Sequence, residues 1–269
     1  MEVALNALPS GARMYVQGVR VDNIDTATAV ESVRSYVDEG NPSACRTVVF
    51  TNVHTIHLAR SNQSLLQSVN GADLALPDGS GLKIAGKLYG RPIRENLNGT
   101  DFTPRVLAEA EKSGWRVYLL GGRREVIAAA SERLRERFPA LQLAGIHQGH
   151  FAPHEEEVII QNINMTKPDL LLVGMGSPIQ EQWIAANAPR LRVKACFAVG
   201  GFFDFLSGEK RRAPIWIRRL GIEWLFRFSQ DPATKWQRVF IEIPVFLIRL
   251  VAGRLVPAGT SNFGVEGGV

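Results

Sequence analysis

Short apolar or β-branched runs alternate along this chain with longer stretches of helical period. The runs TVVFT (47–51), DLAL (73–76), VYLLGG (117–122), LQLAGI (141–146), LLLVGMG (170–176) and ACFAVGG (195–201) predict strands. Between them, 53–69, 101–113, 123–137, 154–165 and 179–188 predict helices. Strands separated in this way imply βαβ units. The expected fold is α/β, a Rossmann-like, mostly parallel sheet with helices on both faces. The opening YVQGVRVDNID reads as a hairpin-like piece at the sheet's edge.

After Gly201 the pattern changes. From Pro214 the period predicts two amphipathic helices, 214–229 and 232–252, split by Asp231-Pro232. Trp216, Trp224, Phe226, Phe228, Trp236, Phe240 and Phe246 are interleaved there with basic residues. The expected division is an α/β domain over 1–205, a helical appendage over 206–256 and a disordered tail over 257–269.

Charge sharpens that division. Glu209 to Arg254 holds ten Lys or Arg against four acids, a net of +6 in a chain whose total is +5. The basicity therefore belongs to the appendage, which calls for an anionic partner such as nucleic acid, a lipid headgroup or a phosphorylated substrate. Cys45 and Cys196 beside apolar runs read as reduced, buried thiols. The N-terminal stretch lacks a basic, then apolar, leader pattern, and no apolar run reaches about 18 residues, so neither a signal peptide nor a spanning helix is expected.

Three strands end in glycines: Gly121-Gly122, Gly174-Met175-Gly176 and Gly200-Gly201. Ligands bind beyond the carboxyl ends of parallel strands, where glycine lets backbone N–H groups approach a phosphate. None of the three completes G-x-G-x-x-G, which argues against a dinucleotide-dependent oxidoreductase. Asp78, between Pro77 and Gly79, is either an N-cap of LKIAGKL or a general base kept uncrowded by Gly79 and Gly81. Thr51 and Asn52 end a strand with small polar groups, and Gln180 and Glu181 occupy the first turn of a helix beside the crevice. His54 and His57 read as helix-face residues. His147, His150 and His154 have metal-like spacing, but Gly149 and Pro153 break the helix that would align them. Without D-x-D, an acidic metal–diphosphate clamp is missing, and no cofactor or metal is expected. The appendage reads as a solvated basic face, as a nucleic-acid binder without a known signature, or as a membrane-interface element in which aromatics sit at headgroup depth.

In order along the chain, TN (51–52), ADLALPDGSGL (72–82), NGTDF (98–102), VYLLGG, PDLLLVGMGSPIQEQWI (168–184), VGGFFDFLSGEKRRAP (199–214) and LGIEWLFRF with its DP turn (220–232) resemble the TagA/WecG/CpsF family of bacterial glycosyltransferases. The resemblance implies an inverting transferase that moves a sugar from a UDP-sugar to a polyprenyl-diphosphate-linked saccharide, peripheral on the cytoplasmic membrane face. It implies Asp78 as general base, with Thr51, Gln180 and Arg227 in the active site. Asn52, Gly79, Gly121, Gly122, Gly174, Gly176 and Glu181 then line the donor site. Arg211, Arg212, Lys235 and Arg238 serve acceptor and membrane, and a homo-oligomer is compatible. Many members carry Arg where this chain has Asn96. A non-catalytic, membrane-recruited nucleotide-sugar sensor is the other reading.

Overall fold

The computed structural model describes residues 8–9, 11–38 and 45–255. The tail from Pro257 lies outside them. The chain opens with a hairpin, β1 (Arg13–Val16) and β2 (Val19–Asp22), joined at Gln17 (φ 51°) and Gly18 (φ 82°). Two consecutive positive φ values give the primed turn that matches strand twist. The hairpin pairs only with itself, yet it sits where expected, against the sheet's edge. Buried Arg20 bonds buried Asp22 at 2.8 and 3.0 Å and donates to the carbonyls of Ala72 and Asp73, while Asp22 accepts from the Ala75 N–H at 2.8 Å. Side chains therefore cover an edge that would otherwise be open.

Helix α1 (Thr26–Asp38) follows, capped by Asp25, whose Oδ1 accepts from the Thr28 N–H. It has no counterpart among the expected elements, although Ala29, Val33 and Val37 bury at helical spacing. Next come β3 (Arg46–Thr51), α2 (Val53–Ala59), α3 (Gln63–Asn70) and β4 (Leu74–Pro77). The single helix expected over 53–69 is thus two. Asn62 accepts from the Leu65 N–H at 3.0 Å and starts a new helix, so a local cap overrides the apolar period.

The remaining α/β elements are α4 (Ser80–Leu88), α5 (Gly99–Ser113), β5 (Arg116–Gly121), α6 (Arg124–Arg137), β6 (Gln142–His147), α7 (Glu156–Thr166), β7 (Leu170–Gly174), α8 (Ile179–Asn187), β8 (Ala195–Ala198) and α9 (Phe202–Leu206). Strands β3 to β8 form one parallel sheet in the order β4-β3-β8-β7-β5-β6. Leu170 and Leu172 pack into one apolar layer with α1, α5 and α6; Leu171 and Val173 pack into the other with α2, α3, α7 and α8. Both faces are buried, which is why these strands read as continuous apolar runs.

The appendage holds α10 (Ile215–Arg219), α11 (Glu223–Gln230), α12 (Pro232–Gln237), a π-helical stretch (Arg238–Glu242) and α13 (Ile243–Leu255). Gly221 at φ 73° breaks the helix expected over 214–229, whereas the helix from Pro232 runs on as expected, with Asp231 capping it. Phe246, read from the sequence as part of the aromatic band, is only 3% exposed and joins the core with Leu250. Gln17 donates to the Phe246 carbonyl and Tyr89 to that of Leu250, so α13 is fastened to the hairpin and to α4.

That placement predicts different costs on one helix. Phe246→Ala should lower unfolding free energy by about 3–5 kcal/mol. Exposed Ile248→Ala should change it by less than about 0.5 kcal/mol. Urea denaturation of the two variants checks the contrast.

Candidate active site

In the parallel pairing of β3 with β4, Thr51 lies opposite Pro77. The next residue on each strand is Asn52 and Asp78, so register alone sets these side chains next to each other at the carboxyl edge. Asn52 caps α2 with Oδ1, which accepts from the Thr55 N–H at 3.0 Å, and its Nδ2 donates to Asp78 Oδ2 at 3.1 Å. Capping thus fixes which end of the amide faces the carboxylate. The Asp78 N–H donates to the Thr51 carbonyl at 2.8 Å.

Asp78 caps no helix. The N-cap of α4 is Gly79, with no side-chain cap, at φ 100°, a conformation L side chains rarely adopt. A Cβ at Gly79 would meet nothing within 4 Å, so the space beside Asp78 is open there. The space at Gly81 is not, because a Cβ would come within 2.3 Å of the Val53 side chain. Asn96 accepts from the Gly79 N–H at 2.6 Å and so holds the turn that carries Asp78.

The appendage brings cations to this edge. Burial raises the Asp78 carboxyl above the usual range, against the charge of Arg227, the Asn52 hydrogen bond and the charge of Arg238; nearby Glu223 adds to the rise. Arg227 lies 4.9 Å from the Phe205 ring centroid and donates to Glu223 Oε1 through Nε and Nη2 at 3.0 and 2.7 Å. Lys235 and Arg238 make no ion pair among the described residues. Burial, then the charge of Arg238 and Lys210, push the Lys235 ammonium down, and burial lowers Arg238, with Arg227 adding to it. Like charges crowded in this way favour an anion between them.

Other sequence-predicted residues are engaged elsewhere. Thr51 is fully buried and its hydroxyl donates to the Arg20 carbonyl at 2.9 Å, so only its backbone reaches Asp78. Gln180 is buried; its Oε1 accepts from the N–H groups of Gly176 and Gly200 at 3.2 and 2.9 Å, stapling the loops after β7 and β8. Glu181 accepts from Ser177 and Gln180 through Oε1, its Oε2 is buried without a partner, and burial raises its carboxyl. Gly121 and Gly174 are demanded by packing: a Cβ on Gly121 would meet the Gly174 carbonyl oxygen at 2.4 Å, and one on Gly174 the Phe203 ring at 2.6 Å. Gly122 donates its N–H to the Gly174 carbonyl, whereas Gly176 (φ 83°) faces open space. Four strand spacings separate β5 from β4, about 19 Å, so Gly121 and Gly122 stand far from Asp78. Arg212 chelates Asp101 at 2.6 and 3.1 Å, joined by Arg218 at 3.5 Å, and Asn98, which caps α5, donates to the same carboxylate. Arg212 therefore anchors the appendage to α5. The backbone of Arg211 bonds both ends of the Gln230 amide.

Sequence reasoning passed over three participants. Glu223 stands four residues before Arg227, a spacing that signals an ion pair. Asn96 was visible only as a departure from a pattern. His54, read as a helix-face residue, bonds Glu242 of the π-helical stretch through Nδ1 at 2.8 and 3.0 Å. Two grooves of about 380 and 340 Å³ along α5 share Thr100, Pro104, Arg137 and Arg212, but Asp78 lines neither. The chemistry points to the strand ends instead. Among the described residues, no three His, Cys, Asp or Glu side chains gather as a metal site would require.

The glycosyl transferase WecG/TagA/CpsF family matches residues 14–259, a span that includes Asn52, Asp78, Arg227 and Arg238. A Staphylococcus aureus (strain MW2) protein named N-acetylglucosaminyldiphosphoundecaprenol N-acetyl-beta-D-mannosaminyltransferase is 29% identical over 246 residues, 90% of this chain and 94% of that protein. The protein of the same name from strain MRSA252 is 30% identical over the same coverage. With the family matched along nearly the whole chain and the strand-edge carboxylate inside the match, the chain belongs to the WecG/TagA/CpsF family of glycosyl transferases.

Proposed function

We propose that this glycosyltransferase moves a hexosaminyl group from a UDP-sugar to a sugar carried on a polyprenyl diphosphate, with inversion at the anomeric carbon. Asp78 takes the proton from the acceptor hydroxyl as its oxygen bonds to C1. The bond from C1 to the phosphate oxygen breaks, and UDP leaves with the electron pair. The observation that carries this reading is the Asp78 carboxylate, uncapped, steered by Asn52 and faced by Arg227 and Arg238. A desolvated carboxylate is a stronger base than one in water. Unpaired Arg238 and Lys235, with Arg227, supply the positive charge a departing diphosphate needs. In the absence of D-x-D, we assign leaving-group neutralisation to these cations. Gly79 leaves the space beside Asp78 clear and Gly176 the space after β7, while Thr51 ties β3 to the hairpin and Gln180 staples the loops after β7 and β8.

The Staphylococcus aureus relatives are named for an N-acetylglucosaminyl-diphosphoundecaprenol acceptor and an N-acetylmannosaminyl donor group. We carry both to this chain as the first pair to test, in a panel of UDP-sugars against a lipid-diphosphate N-acetylglucosamine.

A lipid-borne acceptor requires the protein to meet a membrane. No helix among the described residues is long and apolar enough to cross one. Eleven of the sixteen exposed large apolar side chains among the described residues fall between Ile215 and Val251, including Trp216 (61%), Leu220 (66%) and Trp236 (46%). Set among Lys and Arg, they suit the headgroup layer of an anionic leaflet. We therefore assign 1–205 to the donor sugar and the proton transfer, and 206–256 to membrane, acceptor and the cations that meet the donor diphosphate. The site of action is the cytoplasmic membrane face.

Two outcomes follow. Asp78→Asn should cut turnover about a hundredfold to ten-thousandfold while UDP still binds. The wild-type acid limb of kcat/KM should lie above the ordinary carboxylate range. Because the native Asp78 carboxyl holds its proton more tightly than the unfolded one, ionising it opposes folding as pH rises through its native value. Asp78→Asn should therefore melt no lower than wild type at neutral pH; a variant with more than a tenth of wild-type turnover would remove Asp78 as base. Second, replacing Trp216 and Leu220 together with Ser should weaken partition onto anionic vesicles by at least about tenfold, with no loss of folding. Cosedimentation equal to wild type would defeat the membrane assignment.

A further inference from the structure

One imidazole joins the strand edge to the appendage. His54 lies in the first turn of α2, two residues after Asn52, the amide that steers Asp78. Its Nδ1–H donates to the Glu242 carboxylate, whose side chain is 8% exposed. Glu242 closes the π-helical stretch that Arg238 opens. Residues four apart on a helix are neighbours on one face, and the charge of Arg238 acts on Glu242 and on Asp78 alike. A π-helical turn is a rare element that recurs at functional sites.

We propose that His54 is a positioning residue: by bonding Glu242 it occupies that carboxylate and leaves the Arg238 guanidinium aimed at the space over Asp78. This rests on the reading of Arg238 as a ligand of the donor diphosphate. Burial raises the Glu242 carboxyl, yet the His54 hydrogen bond and the charges of His54, Arg238 and His57 bring it below its usual range, so it stays ionised. An ionised, buried carboxylate needs a partner, and without one it takes the nearest donor. Around it, the cationic groups are His54 and, farther along α2, His57, with Arg238 on its own turn; of the histidines only His54 bonds it. If His54 is removed, Glu242 draws Arg238 onto itself and away from the phosphates. From α8, Glu181 acts on the same imidazole, and its buried Oε2 has no hydrogen-bond partner. Glu242 is therefore the carboxylate that His54 satisfies directly, and the proposed role of both is exerted through Arg238.

The mechanism makes a sign prediction that a purely structural role does not. In the full-length protein, His54→Ala should weaken UDP binding by calorimetry about tenfold, with a matching fall in kcat/KM. Adding Glu242→Gln to His54→Ala should restore most of the lost affinity, because the neutral amide no longer competes for Arg238. In an Arg238→Ala background, His54→Ala should cost UDP affinity nothing more. His54→Asn, whose amide can still donate to Glu242, keeps near wild-type binding and guards against a fold defect in the alanine variant. Wild-type UDP affinity in His54→Ala, or losses that multiply when Glu242→Gln is added, would overturn the proposal. If Arg238→Ala itself bound UDP normally, the diphosphate reading would fall and this inference with it. If Arg238→Ala is impaired while His54→Ala is not, only this inference falls.

Discussion

The parallel pairing of two neighbouring strands, with Thr51 opposite Pro77, is the constraint on which the site depends. Parallel strands in register deliver the next side chain of each to the same edge, which is how Asn52 and Asp78 meet although 26 residues separate them. The pairing persists because both strands are buried on both faces, with Val48, Leu74 and Leu76 in one layer and Val49 and Ala75 in the other. A slip of one residue would exchange those layers, which burial forbids. The hydrophobic core thereby fixes the position of a carboxylate that is itself costly to desolvate.

The second determinant is electrostatic. Asp101 gathers Arg212 and Arg218, and burial, which would raise its carboxyl, is outweighed by the hydrogen bonds from Arg212 and Asn98 and by the two guanidinium charges, so it lies below the usual range. This ion-pair group ties the start of the appendage to α5, while Phe246 and Leu250 tie its end into the core. Between those two anchors, the charges of Arg227 and Arg238 act on Asp78 and Lys235 lies beside Arg238; Arg227 is paired with Glu223, while Lys235 and Arg238 make no ion pair among the described residues. A basic stretch that looks uniform in sequence thus divides into anchors and free charge, and only the free charge is suited to a phosphorylated ligand.

How much of this could be read in one dimension varies with the physics of each element. The six parallel strands were legible because burial on both faces leaves an apolar run that glycine or a polar edge terminates. The helix over 53–69 was over-extended because the period of apolar positions outruns the cap at Asn62. Asp78 could be singled out from its neighbouring glycines, whereas Arg227 is reached only through the resemblance to the family, and the aromatic, basic pattern marks just the segment that holds it. Thr51 and Gln180 show the limit: their types and places at strand ends are visible, but not that the Thr51 hydroxyl is already bonded to Arg20 or Gln180 Oε1 to Gly176 and Gly200. His54 and Glu242 are 188 residues apart, and no local pattern announces their bond.

The glycines that end β5 and β7, with Gly149 after β6, carry a consequence for how such a chain can vary. The missing side chain of Gly121 is filled by the backbone of Gly174, and that of Gly149 by the backbone of Gly121 at 2.7 Å. Gly121 and Gly149 therefore keep room for a neighbour's main chain and Gly174 for the Phe203 ring, so none can drift alone. Descendants of this sequence should explore Gly79 only through its turn geometry, but these three positions as one inherited block, closed to stepwise change.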